Sequence, residues 1–389
     1  MRLLVLTETH PPDRGGMSES CDRILRGLAR EGIGLDVVHF DRRALRFEHR
    51  VTSSGSFLRV PPDADVAHTM NLLWNELERT VDARAITHVV AFGGTLPLLG
   101  APVFAAWMAR PLVTMIRGNE LDTGLFDPRR RAILDDALRR SAAVCTLTTV
   151  HAEKIAALHE AVVPHVIANG IDLDLWQATG ADRTRADAIR ATAEGRRILG
   201  LFGHLKNKKG VPFFIDVLVR SGLADRFHLL LAGEIDTSIE GVAYTLLPVM
   251  DRYELIPLYL ASDLVVLPSH YDGFPNVLIE AMALARPLIA SSAGGMRDVL
   301  TDAQGFLFPP GDAHACRDAI ARAAHSSDEE LRRMGLAAEV VARRRCDARD
   351  ETRRYLDVLQ QVQEVFDDEQ RNSRRAAPSA ARQLSRRAR

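Results

Sequence analysis

Leu264 to Gly295 reads LVVLPSHYDGFPNVLIEAMALARPLIASSAGG, in the order strand, loop, helix, strand. Leu264 to Leu267 is a short apolar run with two β-branched residues, stopped by Pro268, which is how a buried parallel strand looks when it hands its carboxyl end to a loop. Pro275 suits the first position of the helix that follows, and Val277, Leu278, Ala281, Met282 and Leu284 give that helix a wide apolar stripe. Leu288 to Ser291 is the next strand. Asp272 stands just before the helix and Glu280 lies inside it. A helix N-terminus carries free N–H groups and a partial positive charge, which suits a phosphate, whereas carboxylates bond hydroxyls. A sugar next to a phosphate is the ligand this combination suggests.

The same rhythm extends outward. In the second half, Ile198 to Phe202, His228 to Leu231 and Ala243 to Leu247 read as strands before this stretch, and Gly305 to Phe308 as one after it, with helices near Ala313 to Ala324 and Asp328 to Arg343. In the first half, Leu3 to Leu6, Leu35 to Phe40, Ile86 to Phe92, Leu112 to Ile116 and Ala143 to Leu147 read as strands. Between the first two, Cys21, Ile24, Leu25 and Leu28 fall on one helix face. Arg42 to Val60 is irregular and reads as loop with short strands. At Ile167 to Trp176 (IANGIDLDLW) the chain turns, and a polar stretch to Arg197 marks a junction. The pattern predicts two doubly wound α/β domains, over 1–168 and 169–349, then a helix over 350–366 and a disordered Arg-rich tail over 367–389.

Composition agrees and sets limits. A chain of 389 residues exceeds what one core usually holds, and 47% apolar residues supply two. Lys and Arg total 50 against 51 Asp and Glu, which argues against a bulk polyanion such as nucleic acid as partner. Cys21, Cys145, Cys316 and Cys346 are far apart with no C-x-x-C pair, so they read as reduced and buried. The expectation is a cytoplasmic protein with no signal peptide and no spanning helix.

Two further loops carry site signals. Gly15-Gly16, between the first strand and its helix, admits two readings: close backbone approach to a diphosphate or sugar, or a turn that needs positive φ. It is not G-x-G-x-x-G, so the dinucleotide fingerprint is absent. Gly203 to Gly210 (GHLKNKKG) follows a strand and gathers His204, Lys206, Lys208 and Lys209. Alone it reads as a solvated basic turn. Paired with the acidic loop at another strand end of the same domain, it points to a sugar diphosphate.

These residues together resemble a known family. G-x-L-x-x-x-K-G, followed some sixty residues later by P-S-x-x-D-G-F-P-N-V-x-x-E-A-M-A, is similar to glycosyltransferase family 4, the retaining nucleotide-sugar transferases of GT-B fold. P-P-x-x-G-G near the start, N-G-I-D at the junction and G-F-L-F-P-P-G-D near the end match as well, so the resemblance covers most of the chain. It implies a GT-B architecture, with a last helix crossing back to the first domain, and a nucleotide-diphosphate sugar as donor, a UDP-sugar first. The donor is a substrate; no cofactor is implied. Glu280 would bind the donor ribose, Asp272 hydroxyls of the transferred sugar, and Lys209 the diphosphate. His204 stands where the family usually has arginine, with Lys206 or Lys208 as substitutes for its charge. Amides of Gly273 and Phe274 would touch the β-phosphate or sugar, Gly15 and Gly16 would close over the diphosphate, and the base would lie against Leu247 to Asp251, with Val249 at its centre.

Two departures bear on substrate choice. The first acid of the family's E-x7-E element is here the shorter Asp272. Where many members have histidine after the strand Leu112 to Ile116, this chain has Arg117, which would contact donor, acceptor or phosphate, or else form a structural ion pair with Glu120 or Asp122. The resemblance implies front-face displacement, with a donor phosphate oxygen taking the acceptor proton. The D-x-D triplets Asp63-Ala64-Asp65 and Asp172-Leu173-Asp174 read as loop residues, and no metal is expected. His10, His270 and Tyr271 lie near the site loops and Trp74, Trp107 and Trp176 read as core or junction. The Arg-rich tail reads as solvated or as a weak contact for an anionic surface. The acceptor stays open among small molecule, lipid and glycan. A nucleotide-sugar epimerase and a non-catalytic nucleotide-sugar binder are the alternatives.

Overall fold

The apolar runs assemble into two parallel sheets. A computed structural model describes the chain except Arg14, Asn119, His204, Lys206, Asp236, Thr237, Ala388 and Arg389, and gives backbone alone for 374–387. The first sheet contains β1 (Arg2–Thr7), β2 (Gly34–Phe40), β3 (Glu48–Thr52), β4 (Gly55–Val60), β5 (His88–Phe92), β6 (Leu112–Ile116), β7 (Ala143–Thr146) and β8 (His165–Val166) in the order β3-β4-β2-β1-β5-β6-β7-β8. Only β3 runs antiparallel, as the hairpin partner of β4. The second contains β9 (Arg197–Phe202), β10 (Phe227–Ala232), β11 (Ala243–Leu247), β12 (Leu264–Leu267), β13 (Leu288–Ser291) and β14 (Gly305–Phe308), ordered β11-β10-β9-β12-β13-β14 and parallel throughout. Both are doubly wound, and the strand order reverses between β1 and β5 and between β9 and β12. In such sheets ligands bind outside the carboxyl ends of the strands at those reversals.

Burial on both faces explains why the strands read as unbroken apolar runs. On one face of the first sheet, Leu3 and Val5 pack with Cys21, Ile24 and Leu28 of the first helix, Gly16–Arg30, and with Tyr355, Val358, Leu359 and Val362 of the last helix, Ala348–Arg387. On the other face Leu4 and Leu6 pack with Leu73, Leu98, Phe104 and Leu138. The four cysteines are free and buried, and burial pushes each thiol up to about 12, so none is a reactive thiolate.

Several elements differ from the sequence reading. The irregular stretch Arg42 to Val60 contains the β3–β4 hairpin, with β3 almost wholly exposed and therefore without the alternation that marks a strand. The polar junction contains a helix, Gly180–Ala191, started by a Thr179–Asp182 capping box. Pro275 is the cap before the helix, which begins at Asn276. The last helix continues through Arg387, over the segment for which composition predicts disorder. Among the described residues no helix is long and apolar enough to cross a membrane.

Candidate active site

The loops after β9 and β12 lie against each other. Gly210 sits at φ +66°, and a Cβ there would come 2.0 Å from the Pro268 carbonyl oxygen, so only glycine lets the basic loop seat on the acidic one. The His270 amide donates to the Lys208 carbonyl at 3.1 Å. From a short 3₁₀ turn, Asn207–Lys209, the Lys209 ammonium donates to Asp272 Oδ2, while Asp272 Oδ1 accepts the Gly273 amide at 2.9 Å. The two side chains are 28% and 15% exposed, so the ion pair faces the cleft. His204 and Lys206 lie outside the described residues.

On the far side, Gly294 at φ +51° holds the 272–274 turn; its absent Cβ would fall 1.8 Å from the Asp272 carbonyl. The Gly295 amide donates to the Gly273 carbonyl at 2.7 Å. The helix Asn276–Ala283 starts there, and its first amides have no partner within the helix. Phe274 is buried, so only its backbone is available to the site.

Glu280 is 4% exposed and held at both oxygens: the Arg252 Nε donates to Oε1 at 2.8 Å and the Tyr259 hydroxyl to Oε2 at 2.7 Å. Burial first and the Glu280 charge second push the Tyr259 phenol well above its usual value, which keeps it a donor. The Trp176 indole donates to the Glu280 carbonyl at 3.1 Å, and Arg252 lies over its ring. Arg252, Tyr259 and Trp176 were outside the sequence-predicted site. Arg252 directly follows Leu247 to Asp251, the stretch predicted to meet the base, where Val249 is 39% exposed; that adjacency is the one signal that could have found it.

The first domain meets the helix Asn276–Ala283 at its glycine pair. Gly15 has φ +119° and caps the first helix, as the turn reading of the glycine pair expects, and the Gly16 carbonyl accepts from Asn276 Nδ2 at 3.2 Å. A small cavity of about 190 Å³ lies beside it, lined by Met17, Gly94, Thr95, Glu120, Thr123 and Arg130.

Arg117 is not in the cleft. Its side chain is 1% exposed, and it donates to Asn169 Oδ1 and the Tyr355 hydroxyl and lies 3.5 Å from Glu351. The expected partners are engaged elsewhere: Glu120 accepts the Gly94 and Gly118 amides, and Asp122 holds His151 and Lys154. Arg23 joins the same cluster through two bonds to Glu351, at 2.8 and 3.1 Å. Asn169 links this cluster to the 272–276 turn, donating to the Phe274 carbonyl at 2.7 Å and to Asn276 at 3.2 Å.

The other candidates have structural partners. Asp65 caps a helix through the His68 amide, Asp172 closes a turn, and Asp174 pairs with Arg349. Among the described residues no group of three or more His, Cys, Asp or Glu is arranged to hold a metal ion. His10 packs on Phe57 and His270 on Phe213, while Tyr271 is about half exposed.

Two doubly wound domains, with a basic and an acidic loop meeting at a strand-order reversal, have the layout of the GT-B fold, and the comparisons agree on the family. The model described as Glycosyltransferase Family 4 matches 14–175, and that described as Glycosyl transferases group 1 matches 196–326. The chain belongs to the group 1, family 4 glycosyltransferases. It is 27% identical over 173 residues to the lipopolysaccharide core mannosyltransferase LpsB of Rhizobium meliloti, covering 40% of this chain and 49% of that one. To the D-inositol 3-phosphate glycosyltransferase of Saccharomonospora viridis it is 28% identical over 226 residues, 51% of each. The chain thus spans about half the length of these curated relatives. Its fold is that of sucrose-phosphate synthase from Thermosynechococcus elongatus, with TM-score 0.73, 17% identity and coverage of 94% and 98%. It is also that of Anabaena HepE, solved with UDP and glucose, with TM-score 0.71, 18% identity and coverage of 93% and 100%.

Proposed function

We propose that this chain transfers a sugar from a nucleotide-diphosphate donor, a UDP-sugar first among candidates, to a hydroxyl of a small molecule, lipid or glycan, with retention at the anomeric carbon. The observation that carries the reading is the Lys209–Asp272 pair at the β9 and β12 ends, with Glu280 anchored in the helix behind it. The UDP ligands named for the Anabaena structures support the choice of nucleotide.

In this reading the donor exchanges partners with the ion pair. The diphosphate takes the Lys209 ammonium and the amides at the donor-helix N-terminus, and Asp272, released, accepts hydroxyls of the sugar. Glu280 has lone pairs to spare beyond the bonds from Arg252 and Tyr259, so it accepts the ribose hydroxyls without rearranging. The bond from the anomeric carbon to the diphosphate oxygen breaks, the acceptor oxygen bonds that carbon from the same face, and its proton passes to the departing diphosphate. Lys209 and the helix amides stabilise the leaving charge, so the reading needs neither metal nor cofactor. The Arg117 side chain reaches the site through Asn169.

An epimerase would need an acid and a base in the cleft. The two first-domain histidines nearest the glycine loop instead face Phe57 and Asp13. Release of nucleotide from a panel of nucleotide sugars, followed by mass spectrometry, tests the proposal. Turnover by the wild type and a fall of about 10²- to 10³-fold in Lys209→Ala are expected. Binding without turnover would make the chain a nucleotide-sugar binder, and an isomerised donor would make it an epimerase.

A further inference from the structure

Glu280 is tied at its main chain and at both carboxylate oxygens by three side chains that the sequence motifs do not include. Arg252 opens a short 3₁₀ turn, Arg252–Leu255, and the Asp251 amide just before it is fixed by donating to Glu254 Oε2 at 2.9 Å. From that turn the Arg252 Nε reaches Glu280 Oε1, and its guanidinium carbon lies 4.9 Å from the centre of the Trp176 ring. Trp176 is buried, comes from the junction between the domains, and donates its indole N–H to the main-chain carbonyl of the same Glu280. Tyr259, also buried, holds Oε2 and meets the Trp176 ring edge-on at 5.9 Å. The carboxylate is therefore held in one orientation by a bracket of Arg252, Trp176 and Tyr259.

Arg252 stands there at a cost. Its side chain is 13% exposed, and its Nη2 is buried with no hydrogen-bond partner among the described residues. A buried guanidinium N–H without an acceptor destabilises a fold, so the placement of Arg252 is not explained by its own bonding. What the placement achieves is to fix the directions of the Glu280 lone pairs. A carboxylate offers about four of these, two on each oxygen. Arg252 takes one on Oε1 and Tyr259 one on Oε2, which leaves each oxygen an acceptor for one hydroxyl.

We propose that Arg252 is a positioning residue that makes the nucleotide site selective for ribose over 2′-deoxyribose, by holding Glu280 so that its two oxygens meet the two neighbouring hydroxyls of the ribose together. This rests on the nucleotide-sugar reading and deepens it at the ribose. A 2′-deoxy nucleotide leaves one oxygen of a buried carboxylate short of a donor, and a site built around a hydroxyl rejects the analogue that lacks it. The planar guanidinium suits the role better than an ammonium, because it stacks on Trp176 while its Nε keeps its aim.

Calorimetric titration of UDP and of 2′-deoxy-UDP into wild type, Arg252→Met and Arg252→Lys tests the proposal, with circular dichroism to show that each variant is folded. The wild type should bind UDP about 30-fold more tightly than 2′-deoxy-UDP. Arg252→Met should lose about tenfold for UDP and about twofold for 2′-deoxy-UDP, which narrows the ratio to about sixfold. Arg252→Lys keeps the charge without the planar fork and should give an intermediate ratio, so it carries the test if Arg252→Met does not fold. Parallel loss of both nucleotides, with the ratio unchanged in a folded variant, would make Arg252 a structural prop and overturn the proposal. Equal affinity of the wild type for the two nucleotides overturns it as well. Either result, with UDP still bound by the wild type, leaves the nucleotide-sugar reading standing; binding of neither nucleotide by the wild type overturns both.

Discussion

Lys209 and Asp272 neutralise each other across the two site loops, and that pairing assigns them different consequences. Asp272→Glu lengthens the acid by one methylene where the transferred sugar would be read. It should change donor preference or rate more than nucleotide affinity, as competition between UDP-sugars and UDP binding would show; an equal loss of UDP affinity would sink this division of roles. Glu280→Ala removes the acceptor for Arg252 and Tyr259 as well as for the ribose and should weaken UDP about 100-fold by calorimetry. Asp272, Glu280 and Lys209 were legible because each sits within a few residues of a strand end or helix start that the pattern reveals. Arg252, Tyr259 and Asn169 were not, since what they do depends on partners brought from 21 to 149 residues away. Arg117 shows the same limit: Glu120 and Asp122 lie next to it in sequence, but its carboxylate is Glu351, 234 residues on.

At the scale of elements, the last helix is fixed to the first domain by buried polar groups. Arg23 and Arg117 share Glu351, and His88 Nε2 lies 3.0 Å from the Leu359 carbonyl. Arg117→Met leaves Glu351 with Arg23 alone and takes a donor from Asn169 and from the Tyr355 hydroxyl, and should cost about 2 kcal/mol in urea unfolding. UDP affinity of the folded variant should stay within about threefold; a stable Arg117→Met with lost turnover would return Arg117 to the reacting groups. Burial first, offset in part by the Leu359 carbonyl, lowers the His88 pKa from 6.5 to about 4. The unfolded chain therefore binds this proton more readily, so stability is full above pH 6.5 and falls between there and pH 4, by about 3 kcal/mol at most. Replacing His88 by Gln should flatten that part of the profile in pH-dependent thermal melts. Strands buried on both faces announced themselves as apolar runs. The β3 strand did not, because its exposure removes the hydrophobic signal, and the helix Gly180–Ala191 was hidden by a surface composition of Arg, Asp and Ala.

For the whole molecule, the two domains are joined by two adjacent crossings: the Ile171 amide donates to the Cys346 carbonyl at 2.7 Å, and the Ala348 amide to Ile171 at 3.0 Å. Asn169, beside them, touches both the buried arginines and the 272–276 turn, so the junction between the domains and the shape of that turn are set together. Asn169→Ala should raise the donor KM more than it lowers kcat. The GT-B architecture was legible because its site motifs lie at strand ends and so locate the sheet. The central claim is that a nucleotide sugar binds where Lys209, Asp272 and Glu280 meet. Calorimetric titration of UDP-sugars into wild type, Glu280→Ala and Lys209→Ala tests it most directly: binding by the wild type that is weakened about 100-fold in the first variant and about tenfold or more in the second is the predicted result. Equal binding in all three proteins, or none in the wild type, would contradict it.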